Sequence, residues 1–228
     1  MSVRHMMRGT IVAAGLAVAG VLGGCQSDPD IDITALSYEI DPADVLYNQA
    51  LANIEAGKLK EASRKFEAID KQHPYSEYAR KAMVMNSYVN YKMGRYSESI
   101  NSARRYISLY PNSEDTAYAY FLIGLSYNKQ IPQVTRDQKT ALRSIQAFRE
   151  LIERFPDSEY VPEAEEKIRF ARDQLAGKEM QVGRYYMERK EYAAAINRFK
   201  GVIEVYPNTP QVEEALARLV EVYFAMGL

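Results

Sequence analysis

Cysteine is nearly absent from this 228-residue chain: Cys25 stands alone, so no disulfide can form within it and the fold rests on its core. Histidine is almost as scarce, with only His5 and His73, and there is no tryptophan. No HExxH, no paired-cysteine spacing and no glycine-rich phosphate loop occurs, so hydrolytic, metal-assisted and nucleotide chemistry lack their usual parts. The chain implies no catalytic residue, no metal and no cofactor. A formal net charge of −1 gives no basic footprint for nucleic acid. The one long apolar run, Ile11 to Leu22, is too short to span a bilayer.

That run follows Arg4, His5 and Arg8 and ends in Gly23-Gly24, the layout of a secretory leader. Cys25 comes next. Leu22-Gly23-Gly24-Cys25 resembles the bacterial lipobox, in which the thiol takes diacylglycerol and becomes an acylated N-terminus after cleavage. Gln26, where an aspartate would retain the chain, is permissive for export to the outer membrane by the bacterial sorting rule. Residues 26–41 are acidic and aperiodic and read as a tether. The expected division is 1–24 signal peptide, 25–41 lipidated tether and 42–228 folded domain, with Asp41 capping the first helix and Pro42 in its first turn.

What is plentiful is helical periodicity, punctuated four times by one motif: HPYSEY at 73–78, YPNSED at 110–115, FPDSEY at 155–160 and YPNTPQ at 206–211. In each, proline stops a helix and the Ser or Thr two residues on is placed to cap the next. Counting back from Pro74, the residues Leu46, Ala50, Gly57, Leu59, Ala62, Phe66 and Ile69 fall on the template of the tetratricopeptide repeat (TPR), whose period is roughly 34 residues. Met83, Ser87, Gly94, Tyr96, Ser99, Ala103 and Tyr106 repeat it before Pro111. Small residues at the eighth and twentieth positions let paired helices approach, and large ones fill the groove between them.

The period then stretches: Pro74, Pro111, Pro156 and Pro207 are 37, 45 and 51 residues apart. The third unit's surplus falls on IPQVTRDQK at 131–139, a loop. The fourth unit's surplus lies within its first helix, predicting one helix from about Pro162 to Arg189, with Gly177 a weak point costing roughly 1 kcal/mol relative to alanine. A fifth unit opens at Pro210 with Leu216, Leu219, Val220 and Tyr223 in register and only one helix, so either the chain is cut short or a partner covers that helix. The fold class is therefore all-α, a TPR-type α-solenoid of about five repeats, the last incomplete.

Such an array curls around a concave wall built from the first helix of each unit. Positions 2, 5, 9 and 12 of those helices face it. They place Tyr47, Tyr88, Tyr91, Tyr118 and Phe121 in a peptide-binding groove, to which Tyr185 of the fourth unit is added. Tyr96, Tyr127, Tyr186, Tyr192 and Tyr223 sit at packing positions instead. Tyr47 and Leu51 stand where a carboxylate clamp would carry Lys and Asn, so the groove favours an extended apolar or aromatic peptide.

The lipobox, AIDKQHPYSEYARKA, TRDQKTALRSIQAFRELIERFPDSEY and VGRYYMERKEYAAAINRFKGVIEVYPNT together resemble the BamD family, the lipoprotein subunits of the outer-membrane β-barrel assembly machine. The resemblance implies a non-enzymatic scaffold, lipid-anchored on the periplasmic face of the outer membrane. It also implies binding to BamA and the other subunits of the machine, and to the C-terminal targeting strands of unfolded β-barrel precursors. By the same resemblance Arg189 in MERK and Arg198 in AINRF are placed to pair with acidic groups of BamA. Where many relatives carry an aromatic beside the first repeat's proline, this chain has His73. The other function class open to such a chain is a periplasmic TPR lipoprotein adaptor for peptidoglycan enzymes or proteases.

Overall fold

The computed structural model describes residues 41–228; Cys25 and the expected leader and tether up to residue 40 lie outside the described residues. The described chain is a run of α-helices: α1 (Ala43–Glu55), α2 (Leu59–Gln72), α3 (Glu77–Lys92), α4 (Tyr96–Leu109), α5 (Thr116–Asn128), α6 (Lys139–Arg154), α7 (Val161–Glu188), α8 (Tyr192–Val205) and α9 (Gln211–Ala225). Each helix packs on the next, and α1 on α3, α3 on α5, α5 on α7 and α7 on α9. That is the stacking of helical hairpins in a TPR array. The odd-numbered helices form the inner row and the even-numbered ones the outer row.

Within a hairpin the turn is set by one left-handed residue. Gly57 (φ 72°) and Gly94 (φ 76°) supply it after α1 and α3, and Lys190 (φ 62°) after α7. The N–H that follows each reaches back five residues, Lys58 to Asn53, Arg95 to Asn90 and Glu191 to Tyr186, at 2.7, 2.9 and 2.9 Å. These bonds satisfy carbonyls that the helix end leaves unpaired.

Between hairpins a different turn recurs four times. The serine or threonine N–H donates to the residue before the proline (Ser76 to His73, Ser113 to Tyr110, Ser158 to Phe155, Thr209 to Tyr206). The N–H three residues further on then donates to that serine or threonine carbonyl. Only Ser76 also caps a helix with its side chain, accepting from Ala79 N at 3.1 Å. The expected caps fail elsewhere because the hydroxyls find nearer partners. Ser113 accepts from the Tyr106 phenol at 2.8 Å, and Thr209 donates back to the Tyr206 carbonyl at 2.8 Å. Asp41 does not cap α1 either: Pro42 occupies the cap position without a side-chain bond, and the Asp41 carbonyl lies 2.8 Å from His73 Nε2, tying the start of α1 to the end of α2.

The small positions of the template do what their size implies. A methyl group on Gly124 would lie 2.3 Å from the Phe148 ring, and one on Gly183 2.5 Å from Phe199. Both rings are fully buried, so α5–α6 and α7–α8 close only because those glycines lack a side chain. In the second hairpin Ser87 and Ala103 replace the glycine–phenylalanine combination. There the buried hydroxyls are satisfied locally: Ser87 donates to the Ser99 carbonyl at 2.9 Å, and Ser126 of α5 donates to Ser99 Oγ at 3.1 Å.

α7 is one helix of 28 residues, as its unbroken periodicity predicts. Its first half packs beside α5 and α6, its second against α8 and α9. The expected loop runs over 131–138, Lys139 being already the first residue of α6, and folds around the buried Gln138, whose Nε2 donates to the Gln133 carbonyl at 2.9 Å. The loop docks on the middle of α7: Lys178 Nζ donates to the Thr135 carbonyl at 3.0 Å, and Val134 sits where a Gly177 side chain would begin, 3.2 Å from the Cβ position. Gly177 is thus a seat for the loop. On α9, Leu219 and Val222 are buried, while Leu216, Val220 and Phe224 form an outward apolar stripe that no described residue covers.

Candidate functional site: the inner tyrosine groove

The inner row brings four of the expected groove residues together. Tyr47 on α1 is half-buried, with its ring 5.7 Å edge-on to Phe66 and 5.5 Å from Tyr78. Tyr88 and Tyr91 follow on α3 and Tyr118 on α5, all half-buried, and Tyr118 lies 5.2 Å from Tyr160. These phenols feel one another. Burial, then Tyr88, Tyr160 and Tyr91, push the Tyr118 hydroxyl well above the ordinary phenol range. Tyr47 is raised by burial and Asp115, and Tyr91 by burial, Tyr96 and Glu163. Tyr160 is pushed up to about 12 by burial, then by Glu159 and Asp115. Tyr47, Tyr91, Tyr118 and Tyr160 are thereby held as hydrogen-bond donors, and the site is edged by the carboxylates Asp115 and Glu163 and by Lys81, whose ammonium lies 5.9 Å from the Tyr78 ring centre.

Two expected members are elsewhere. Phe121 is only 5% exposed: Tyr160 stacks on it at 5.0 Å and 22°, and the Phe148 ring lies 5.9 Å away at a tilt of 51°. The fifth position of an inner helix is enclosed by its own outer helix and by the following hairpin: Val84, at the same register, is likewise buried in the cluster that α3 shares with α4 and α5. Tyr185 lies in the second half of α7, against Tyr186 at 5.7 Å and under the Arg189 guanidinium at 4.6 Å. It shares a surface with Arg189, and no aromatic contact joins it to the four tyrosines. Arg198 is exposed but already engaged, donating to Glu179 at 2.9 Å.

Two groove residues escaped the template. Tyr78 and Tyr160 are both the sixth residue of the junction motif, and Asp115 holds that place in the second junction. The motif reads as punctuation, yet its last position stands at the foot of the next inner helix and faces the groove.

Among the described residues no helix is long and apolar enough to cross a membrane, and no group of three His, Cys, Asp or Glu is placed to hold a metal ion.

Residues 40–228 match the family model described as YfiO, outer membrane lipoprotein. The outer membrane protein assembly factor BamD of Caulobacter vibrioides is 39% identical over 221 residues, covering 97% of this chain and 72% of that protein. The same-named protein of Rickettsia prowazekii is 39% identical over 219 residues, covering 96% and 85%. Among solved structures, MamA 41-end from Desulfovibrio magneticus RS-1 is similar at a TM-score of 0.42 and 17% identity, covering 76% of this chain and 80% of that one.

Proposed function

The chain belongs to the outer membrane lipoprotein family that contains the BamD assembly factors, and from that premise we propose that its inner tyrosine groove receives the C-terminal strand of an unfolded β-barrel precursor. Family membership makes it an outer membrane protein assembly factor acting at the outer membrane. The finer reading is a scaffold on the periplasmic face, acylated at Cys25 after loss of residues 1–24, tethered through residues 25–41, and carrying its repeats in 42–228.

The observation that supports the groove reading is the series of half-buried phenols along the inner helices from α1 to the start of α7, with Tyr47 beside Tyr78 and Tyr118 beside Tyr160. Such rings offer large, rigid contact area at low entropic cost, and their hydroxyls can bond the main chain of an extended segment. A strand turns alternate side chains to one face, so its apolar face meets the rings while its edge meets the hydroxyls. Arg189 and Arg198, both on the fourth hairpin and apart from the four groove tyrosines, are the proposed contacts for BamA.

The test is fluorescence anisotropy with a labelled, alternately apolar peptide ending in phenylalanine. Tyr88→Ala with Tyr118→Ala is expected to weaken binding about 10- to 100-fold, with helicity unchanged. Phe121 is left intact, since truncating a buried phenylalanine costs about 3–5 kcal/mol of stability and would confound the reading. Unaltered affinity rejects the groove. Copurification of peptidoglycan enzymes in place of BamA would turn the assignment to the adaptor.

A further inference from the structure

The outer row carries a second groove that the tyrosine site does not involve. α4 and α6 do not pack on each other, and α5 forms the floor between them. The recess, of about 480 Å3, is walled by Arg104 and Ile107 of α4 and Arg143 of α6, and floored by Tyr120, Ile123 and Tyr127 of α5. Arg104 Nη2 donates to the Tyr127 hydroxyl at 3.1 Å, and the Arg143 guanidinium lies 5.9 Å from the centre of the same ring. Two cations from opposite walls therefore converge on one phenol ring.

The neighbouring groove shows what a closed version looks like. Between α2 and α4, Arg105 donates to both oxygens of Asp70 at 2.6 and 3.1 Å, bridging the walls with a bidentate pair. Arg184, Arg198 and Arg218 likewise each hold a carboxylate. Among the described residues Arg104 and Arg143 make no ion pair within 4 Å. The one carboxylate lining the recess, Glu150, accepts from Gln146 at 3.1 Å instead. Like charges facing across a groove repel, and an anion between them turns that repulsion into a clamp.

We propose that this groove docks an extended acidic segment of a partner protein, with Arg104 and Arg143 holding one of its carboxylates from opposite walls and Ile107 and Ile123 receiving the adjacent apolar side chain. The recessed apolar floor beneath the two cations suits a peptide, which can lower a side chain into it, better than a planar bilayer surface.

The test uses the full chain and a labelled peptide of alternating glutamate and leucine, with its glutamine–leucine counterpart as control. The acidic peptide is expected to bind at least about tenfold tighter than the control, an advantage that shrinks at high salt. Arg104→Gln with Arg143→Gln should abolish that advantage. Arg143→Gln alone, which leaves the Arg104–Tyr127 bond in place, should reduce it by about threefold or more and guards against a folding defect in the double variant. Equal binding of the two peptides overturns the proposal, as does full retention by both variants. Loss caused by Tyr88→Ala with Tyr118→Ala would assign the peptide to the inner groove instead. Phosphatidylglycerol vesicles that bind in an Arg104- and Arg143-dependent way, without preference for the acidic peptide, would make the site a membrane contact.

Discussion

Lys190 holds a left-handed backbone (φ 62°) at a turn whose two sisters use glycine. For a side chain with a Cβ that conformation costs about 1 kcal/mol. Lys190→Gly is therefore expected to raise unfolding stability by about that amount, as a higher urea midpoint at unchanged slope. The tyrosines make a second statement at this scale. Tyr160 is raised to about 12 and Tyr118 shifts the same way, so as pH climbs past the ordinary phenol value near 10 the unfolded chain loses protons first. Their contribution to stability is whole below about pH 10 and drains away up to about pH 12. Urea melts at about pH 9 and 11 should show the decline, and Tyr160→Phe, which cannot ionise, should flatten it; an equally steep decline in that variant rejects the assignment. Tyr47, Tyr88, Tyr91 and Tyr118 were legible from register alone. Phe121 was not, because its burial depends on Tyr160, a residue 39 positions away that the repeat template does not score.

At the scale of elements, α7 and the 131–138 loop were both legible, one from unbroken periodicity and the other from Pro132 and excess length. Their contact was not, since a loop's landing place leaves no periodic mark. It changes the meaning of Gly177, which reads in isolation as a defect in a helix. The Cβ position lies 3.2 Å from Val134 Cγ1, so alanine there gains helix propensity and presses on the loop. Gly177→Ala is expected to stabilise by about 1 kcal/mol in a Val134→Ala background and by distinctly less in the native chain. A double-mutant cycle by urea melts checks it, and additivity within about 0.3 kcal/mol would deny the contact. The hairpin turns carry the same lesson in reverse. The spacing of Ser76, Ser113, Ser158 and Thr209 announced four junctions, and the bonds each hydroxyl makes depend on partners a spacing rule cannot see.

For the whole molecule, the proposed BamA surface carries its own control. Arg198 is paired with Glu179, so Arg198→Glu removes an internal bond as well as any external one. The reversed pair, Glu179→Arg with Arg198→Glu, restores the internal attraction and inverts the charge shown to a partner. If Arg198 reaches BamA, both variants lose BamA on copurification; if its role is internal, the reversed pair recovers it. Exposed pairs of this kind are worth only about 0–1 kcal/mol, so melting temperature should hardly move in either variant. The repeat architecture was legible across the whole folded body because it rests on residue spacing, and the family through the likeness of whole motifs. The surfaces were only partly legible because pairing and coverage are properties of neighbours. α7 sets a further condition on this arrangement. Its 28 residues run about 42 Å without interruption, the first half among the groove-bearing hairpins and the second beneath the hairpin that bears Arg198. One continuous helix thus joins the proposed precursor groove to the proposed BamA contact, so that if both readings hold the two sites keep a fixed separation.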